Sequence, residues 1–137
     1  MVKDIIKDTI FLQMKSCDAT IDDLSIGTDL IDTLLFNKRT CVGLAANMIG
    51  YNKKILVYLD KNNMPNVMYN PEIIMSEKEY KTEEGCLSLI GIRPCIRHEV
   101  ITVKFYDSKF NLKTKTFRGF IAEIIEHEMD HFNGILI

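Results

Sequence analysis

Phe120–Asn133, FIAEIIEHEMDHFN, with Gly134 behind it, is the stretch that decides how the rest of the chain is read. At roughly 100° per residue, Phe120, Ile124, His127 and His131 share one stripe of a helix, and Ile121, Ile125, Glu128 and Phe132 share the next. Glu123, Glu126 and Asp130 collect on a polar arc across from them. A helix that is apolar around most of its circumference is buried, and this one carries both histidines inward. The run His127-Glu128-Met129-Asp130-His131 is an H-E-x-x-H. Histidines at i and i+4 point the same way and can share one metal ion, with the glutamate in reach of a water held there. The plainer alternative is two core histidines beside a helical carboxylate. A buried face and ligand spacing together favour the metal.

Two histidines leave such a site short of protein ligands, since catalytic zinc-type centres usually take three and keep one position open. The carboxylates, His98 and the four cysteines are the candidates. Cys86 is the best placed of these, because Gly85 frees the backbone to approach the helix and Glu83 and Glu84 mark the segment as more than core. Cys17 and Cys95 read as ordinary buried or partly buried thiols. Cys41 lies in CVGLAANMIG, Cys41–Gly50, where Gly43, Ala45 and Ala46 let another backbone or a ligand come close. A tight helix-to-strand connection explains that segment equally well.

The other elements follow from local signals. Residues 3–15 read as a partly irregular arm. Thr20, with Asp23 three residues on, opens a helix that runs to about Asn37 with Leu24, Ile31, Leu34 and Leu35 inward. Residues 54–59 form a buried strand turned by Asp60–Asn63. Residues 67–69 and 73–76 are short strands parted by Asn70-Pro71, residues 80–89 carry Glu84-Gly85-Cys86-Leu87-Ser88, and residues 100–106 and 112–117 pair across Asp107–Asn111. Strands gathered between an early and a final helix make the fold class α+β.

With 137 residues, 47% hydrophobic and 26% charged, the chain is expected to be one soluble domain spanning 1–137. A net charge of −2 gives no footprint for nucleic acid. The longest clean apolar run, Ile55–Leu59, is far short of a membrane span. The N-terminus, MVKDIIKDTI, lacks the apolar stretch of a secretion signal, so the cysteines read as thiols or ligands in a reducing cytoplasm.

Three stretches together resemble the signatures of the peptide deformylases, enzymes that remove the N-formyl group from nascent polypeptides: Cys41–Gly50, Glu84–Ser88 and His127–His131. Their order and separation are the family's, and the resemblance covers nearly the whole chain. It implies an α+β fold with mixed and antiparallel strands wrapped around the motif-bearing helix. It assigns Cys86, His127 and His131 to one divalent metal, typically Fe²⁺ and replaceable by Zn²⁺ or Ni²⁺, with Co²⁺ equally suited to the donor set. It makes Glu128 the general acid/base for a metal-activated water, and the Leu87 N–H the donor to the oxyanion. The substrate is then an N-formylated nascent peptide in the cytoplasm, possible ribosome association follows from that substrate, and no membrane is involved.

Gly43 and Gly85 are expected to expose backbone to an extended peptide paired as an added strand. Val42, Phe120 and Ile124 are candidates for its apolar pocket, Glu84 and Glu126 for partners of the metal-binding histidines. Arg93 stands where the family tends to place an arginine. The chain departs from the family at Cys41, where glycine is usual, at Ile90, where proline is frequent, and above all at Met48. There the family carries a glutamine that donates to the oxyanion, and a thioether cannot donate; Asn47 or a water is the replacement donor to look for. The relatives' C-terminal extension has no counterpart in the few residues after His131, which bears on stability or docking more than on chemistry. Met48 keeps open a deformylase-like protein of weak or shifted amidase activity. A non-enzymatic domain with a structural metal is the further alternative, against which Glu128 and the missing fourth ligand both speak.

Overall fold

The computed structural model describes Met1–Ile137. After an arm with one short helix, α1 (Thr9–Leu12), comes the 3₁₀ turn Ile21–Asp23 leading into α2 (Leu24–Phe36). Thr20 and Asp23 close a capping box at its start: the Thr20 hydroxyl accepts from Asp22 N–H, and Asp23 Oδ2 accepts from Thr20 N–H at 2.8 Å. Five strands follow, β1 (Gly43–Ala45), β2 (Ile55–Leu59), β3 (Pro65–Cys86), β4 (Leu89–Tyr106) and β5 (Leu112–Arg118), and α3 (Gly119–Phe132) closes the fold. All neighbouring strands are antiparallel in the order β1-β2-β3-β4-β5. Gly119, at φ +64°, makes the sharp break that turns the edge strand β5 into α3.

The core lies between the sheet and the two main helices, with Leu30, Leu34, Leu44, Leu56, Met68, Ile101 and Ile125 all within it. The inward face of α2 is set by Ile26, Gly27, Leu30 and Leu34, while Leu35, expected inside, is exposed. Gly27 is the reason for this rotation. Its bare Cα lies against the Tyr69 ring, which a methyl group would strike.

The two short strands expected on either side of Asn70-Pro71 are one long strand, β3, with shifts of register between Tyr69 and Glu72 and between Ile73 and Met75. Asn70 adopts φ +52° and ties its side-chain amide to both the N–H and the carbonyl of Ala19. The Asn-Pro pair is therefore absorbed as a bulge. β3 and β4 form a long hairpin whose two-residue turn is Leu87-Ser88.

Candidate active site

The hairpin turn, β1 and the buried face of α3 converge on a cleft of about 480 Å³. Cys86 is the last β3 residue before the turn, and α3 presents His127 and His131 from below. The Cys86 sulfur and one ring nitrogen of each histidine lie within 4.8 Å of one another. Cys86 Sγ is 3.6 Å from His131 Nε2, and the two imidazoles are 5.0 Å apart at 74°. A soft thiolate with two imidazoles is a donor set for a divalent transition metal.

The surroundings orient these donors. His127 Nδ1 is 2.6 Å from Glu84 Oε1, which leaves Nε2 for the cleft. Arg97 grips both oxygens of Glu84, with Nη2–Oε1 at 2.8 Å and Nε–Oε2 at 3.0 Å, and reaches Asp130 at 2.7 Å. Burial opposes ionisation of Glu84, but hydrogen bonds from His127 and Arg97 outweigh it and hold its pKa well below the usual carboxylate range. Burial also opposes charge on His127, yet Cys86, Glu128 and Glu84 together draw its pKa up to about 10. Burial takes His131 down to about 3 and so keeps it neutral.

Glu128 is buried, and its Oε1 has no hydrogen-bond partner in the protein. Burial raises its pKa to about 7. Gly43 is required beside it: a Cβ there would lie 2.7 Å from Ile124 Cγ2 and 2.9 Å from Glu128 Oε2. Gly85 has no such constraint, because a Cβ would meet only the Gly91 carbonyl at 3.7 Å, an ordinary contact. The Leu87 amide, in the turn, makes no hydrogen bond within the protein.

β1 is an edge strand. Val42 O accepts from Leu59 N–H at 2.9 Å, and alternation along the ladder turns the backbone groups of Gly43 and Ala45 away from β2. Two sulfurs meet that open edge. The Cys41 thiol donates to Gly43 O at 2.9 Å, and Met48 Sδ accepts from Ala45 N–H at 3.5 Å. Burial pushes Cys41 up to about 12, so it stays a thiol.

Cys86, Leu87, Val42, Gly43, Gly85, Met48, Phe120, Ile124, His127 and Glu128 all border the cleft or its wall, while His131 lies just beneath it. Val42 and Phe120 are exposed at its mouth, and Ile124 is buried. Other expectations are corrected. Glu126 is buried away from the cleft and binds His98 through its backbone N–H at 2.7 Å and its Nδ1 at 2.8 Å. The whole polar arc of α3 is covered by the β3–β4 hairpin, where Tyr80, His98 and Arg97 meet Glu123, Glu126 and Asp130. Asn47 donates to the His131 carbonyl rather than to the cleft, and Cys17 is exposed. The organising arginine is Arg97. Arg93 reaches only the Ile90 carbonyl.

Known proteins resemble this chain over nearly its whole length. A family model described as polypeptide deformylase matches residues 6–137. A peptide deformylase of Clostridium beijerinckii is 54% identical over 137 residues, all of both chains. One from Dictyoglomus thermophilum is 36% identical, over 99% of this chain and 86% of its own. Among solved structures, a peptide deformylase from Legionella pneumophila superposes with TM-score 0.87 at 34% identity, over 99% of this chain and 83% of its own. A class I type b peptide deformylase from Acinetobacter baumannii, bound to Met-Ala-Ser, gives TM-score 0.87 at 28% identity, over 99% and 97%. With this fold, this cluster and a match over nearly its whole length, the chain belongs to the polypeptide deformylase family.

Proposed function

We propose that the protein is a metal-dependent peptide deformylase that hydrolyses the N-formyl amide of formyl-methionyl peptides. The observation that carries this reading is the convergence of Cys86, His127 and His131 beside a buried Glu128 whose Oε1 is unpartnered. A structural metal site needs no such carboxylate, and a fourth protein ligand is missing from the cluster.

Cys86 Sγ and the two imidazoles hold one divalent ion, Fe²⁺ in this reading, with Zn²⁺, Ni²⁺ and Co²⁺ compatible with the same donors. Once bound, the ion supplies Lewis acidity, polarising the formyl oxygen and making a water nucleophilic near neutral pH. Glu128 takes one proton from the attacking water and returns it to the departing amine, so that formate and a free N-terminus leave. The free Leu87 N–H donates to the developing oxyanion. The open edge of β1 at Gly43 accepts the peptide as an added strand in place of the Cys41 thiol, and Gly85 lines the opposite side. Val42, Phe120 and Ile124 offer the methionine side chain its apolar wall.

Met-Ala-Ser, held by the Acinetobacter baumannii enzyme, is the tripeptide that deformylation of formyl-Met-Ala-Ser leaves. No helix here is long and apolar enough to cross a membrane. In this reading the enzyme acts in the cytoplasm on chains leaving the ribosome, with which it associates at least transiently.

The test is formate release from formyl-Met-Ala-Ser by Fe²⁺-loaded protein kept free of oxygen. One formate per Met-Ala-Ser produced is the expected result. No formate from protein that retains one equivalent of metal would refute the assignment.

A further inference from the structure

His127 has an evident orienting partner in Glu84. His131 has none: its Nδ1 is buried and unpartnered, and the residue is 1% exposed. An imidazole engaged through Nε2 keeps a proton on Nδ1 and needs an acceptor for it. A candidate tethered to the same residue is Asn47, fully buried in the 3₁₀ turn Ala46–Ile49, whose Nδ2 donates to the His131 carbonyl at 3.1 Å. The other end of the same amide, Oδ1, is also buried and unpartnered. An orphaned acceptor is thus anchored on the very residue that carries an orphaned donor. Ser16 adds a third: its N–H bonds the next carbonyl, Phe132 O, at 2.8 Å, and its hydroxyl is likewise buried without a partner.

Buried polar groups left unmatched are costly, and nature generally satisfies them directly or through one ordered water. We propose that Asn47 is the positioning residue of His131, doing from the 3₁₀ turn what Glu84 does for His127 from β3. One buried water accepts from the His131 Nδ1–H and donates to Asn47 Oδ1, which fixes the tautomer that leaves Nε2 for the metal. This rests on the metal-centre reading above. It also gives Asn47 a use that the oxyanion role, ruled out by its orientation, does not.

The test compares wild type, Asn47→Ala and Asn47→Asp, each loaded with Co²⁺ and challenged with excess chelator. Asn47→Ala should release Co²⁺ about 10–100-fold faster than wild type, the usual effect of losing a partner of a metal-bound histidine. Asn47→Asp keeps the acceptor but loses the donor to the helix carbonyl, and its release should stay within about threefold of wild type, well below that range. Release from Asn47→Ala at the wild-type rate overturns the proposal. So does release from Asn47→Asp as fast as from Asn47→Ala, since Asn47 would then be only a peg for the helix end. Should the alanine variant not fold, ¹⁵N-resolved NMR of Zn²⁺-loaded wild type decides the matter. A slowly exchanging Nδ1 proton on His131 is expected, and its absence overturns the proposal. Wild type that takes up no Co²⁺ overturns the metal centre itself, a different failure.

Discussion

Met48 stands where the resemblance to the deformylase signature implies a glutamine, and its surroundings show what a thioether does there. Its Sδ accepts from Ala45 N–H at the buried edge of β1, while its side chain closes the wall of the cleft. A glutamine there keeps that acceptor in Oε1 and adds an N–H donor on the cleft side. Removing one oxyanion donor typically costs 10²–10³ in turnover, so supplying one should recover part of it. Met48→Gln is expected to raise kcat about tenfold or more with KM little changed, because the new bond tightens mainly in the transition state. Steady-state kinetics on formyl-Met-Ala-Ser measure this. An unchanged kcat in a variant that folds and holds metal would mean that the Leu87 N–H and the cation already suffice.

At the scale of elements, α3 is held in register by charge as well as by its apolar stripes. Arg97 on β4 links Glu84 on β3 to Asp130 on α3, and through Glu84 it reaches His127. Removing one member of a buried ionic set leaves the others desolvated and uncompensated, at about 3–5 kcal/mol. Arg97→Ala should therefore lower Tm by on the order of 10 °C in a domain of this size, as calorimetry would measure. A variant melting with wild type would show that water replaces the guanidinium freely. Apart from Glu84 as a partner of the histidines, this pairing was not visible along the chain. Arg97 lies 13 residues from Glu84 and 33 from Asp130, with no shared period, and only the hairpin brings them together. The partners of the polar arc of α3 were hidden for the same reason, because Tyr80, Arg97 and His98 all come from another element.

Over the whole molecule, what was legible in the sequence is what rests on local spacing. The H-E-x-x-H helix, the Thr20 capping box, the closing hairpin and the small residues around Gly43 all carry signals within a few positions of one another. What was hidden depends on distant contacts: the rotation of α2 against Tyr69, the fusion of two strands across Asn70, and the ordinary packing at Gly85. The three motif segments meet only because β1, the β3–β4 turn and α3 close on one cleft. A ligand joining β3 to α3 should stabilise that closure. At a metal concentration a thousandfold above Kd the gain is about 4 kcal/mol, so chelation should lower Tm by on the order of 10 °C. Identical melting with and without metal would place the ion, if bound, outside the native cluster.

The central claim is that Glu128 beside the Cys86–His127–His131 cluster makes this a hydrolytic centre. Glu128→Gln keeps the side chain's size and removes its ability to carry a proton. The most direct measurement is formate release by Ni²⁺-loaded Glu128→Gln and wild type, with metal content determined on the same samples. The account predicts equal metal content and a turnover lower by about 10²–10⁴-fold. Turnover within about threefold of wild type, at equal metal content, would contradict it, since general acid–base catalysis by Glu128 would then contribute almost nothing.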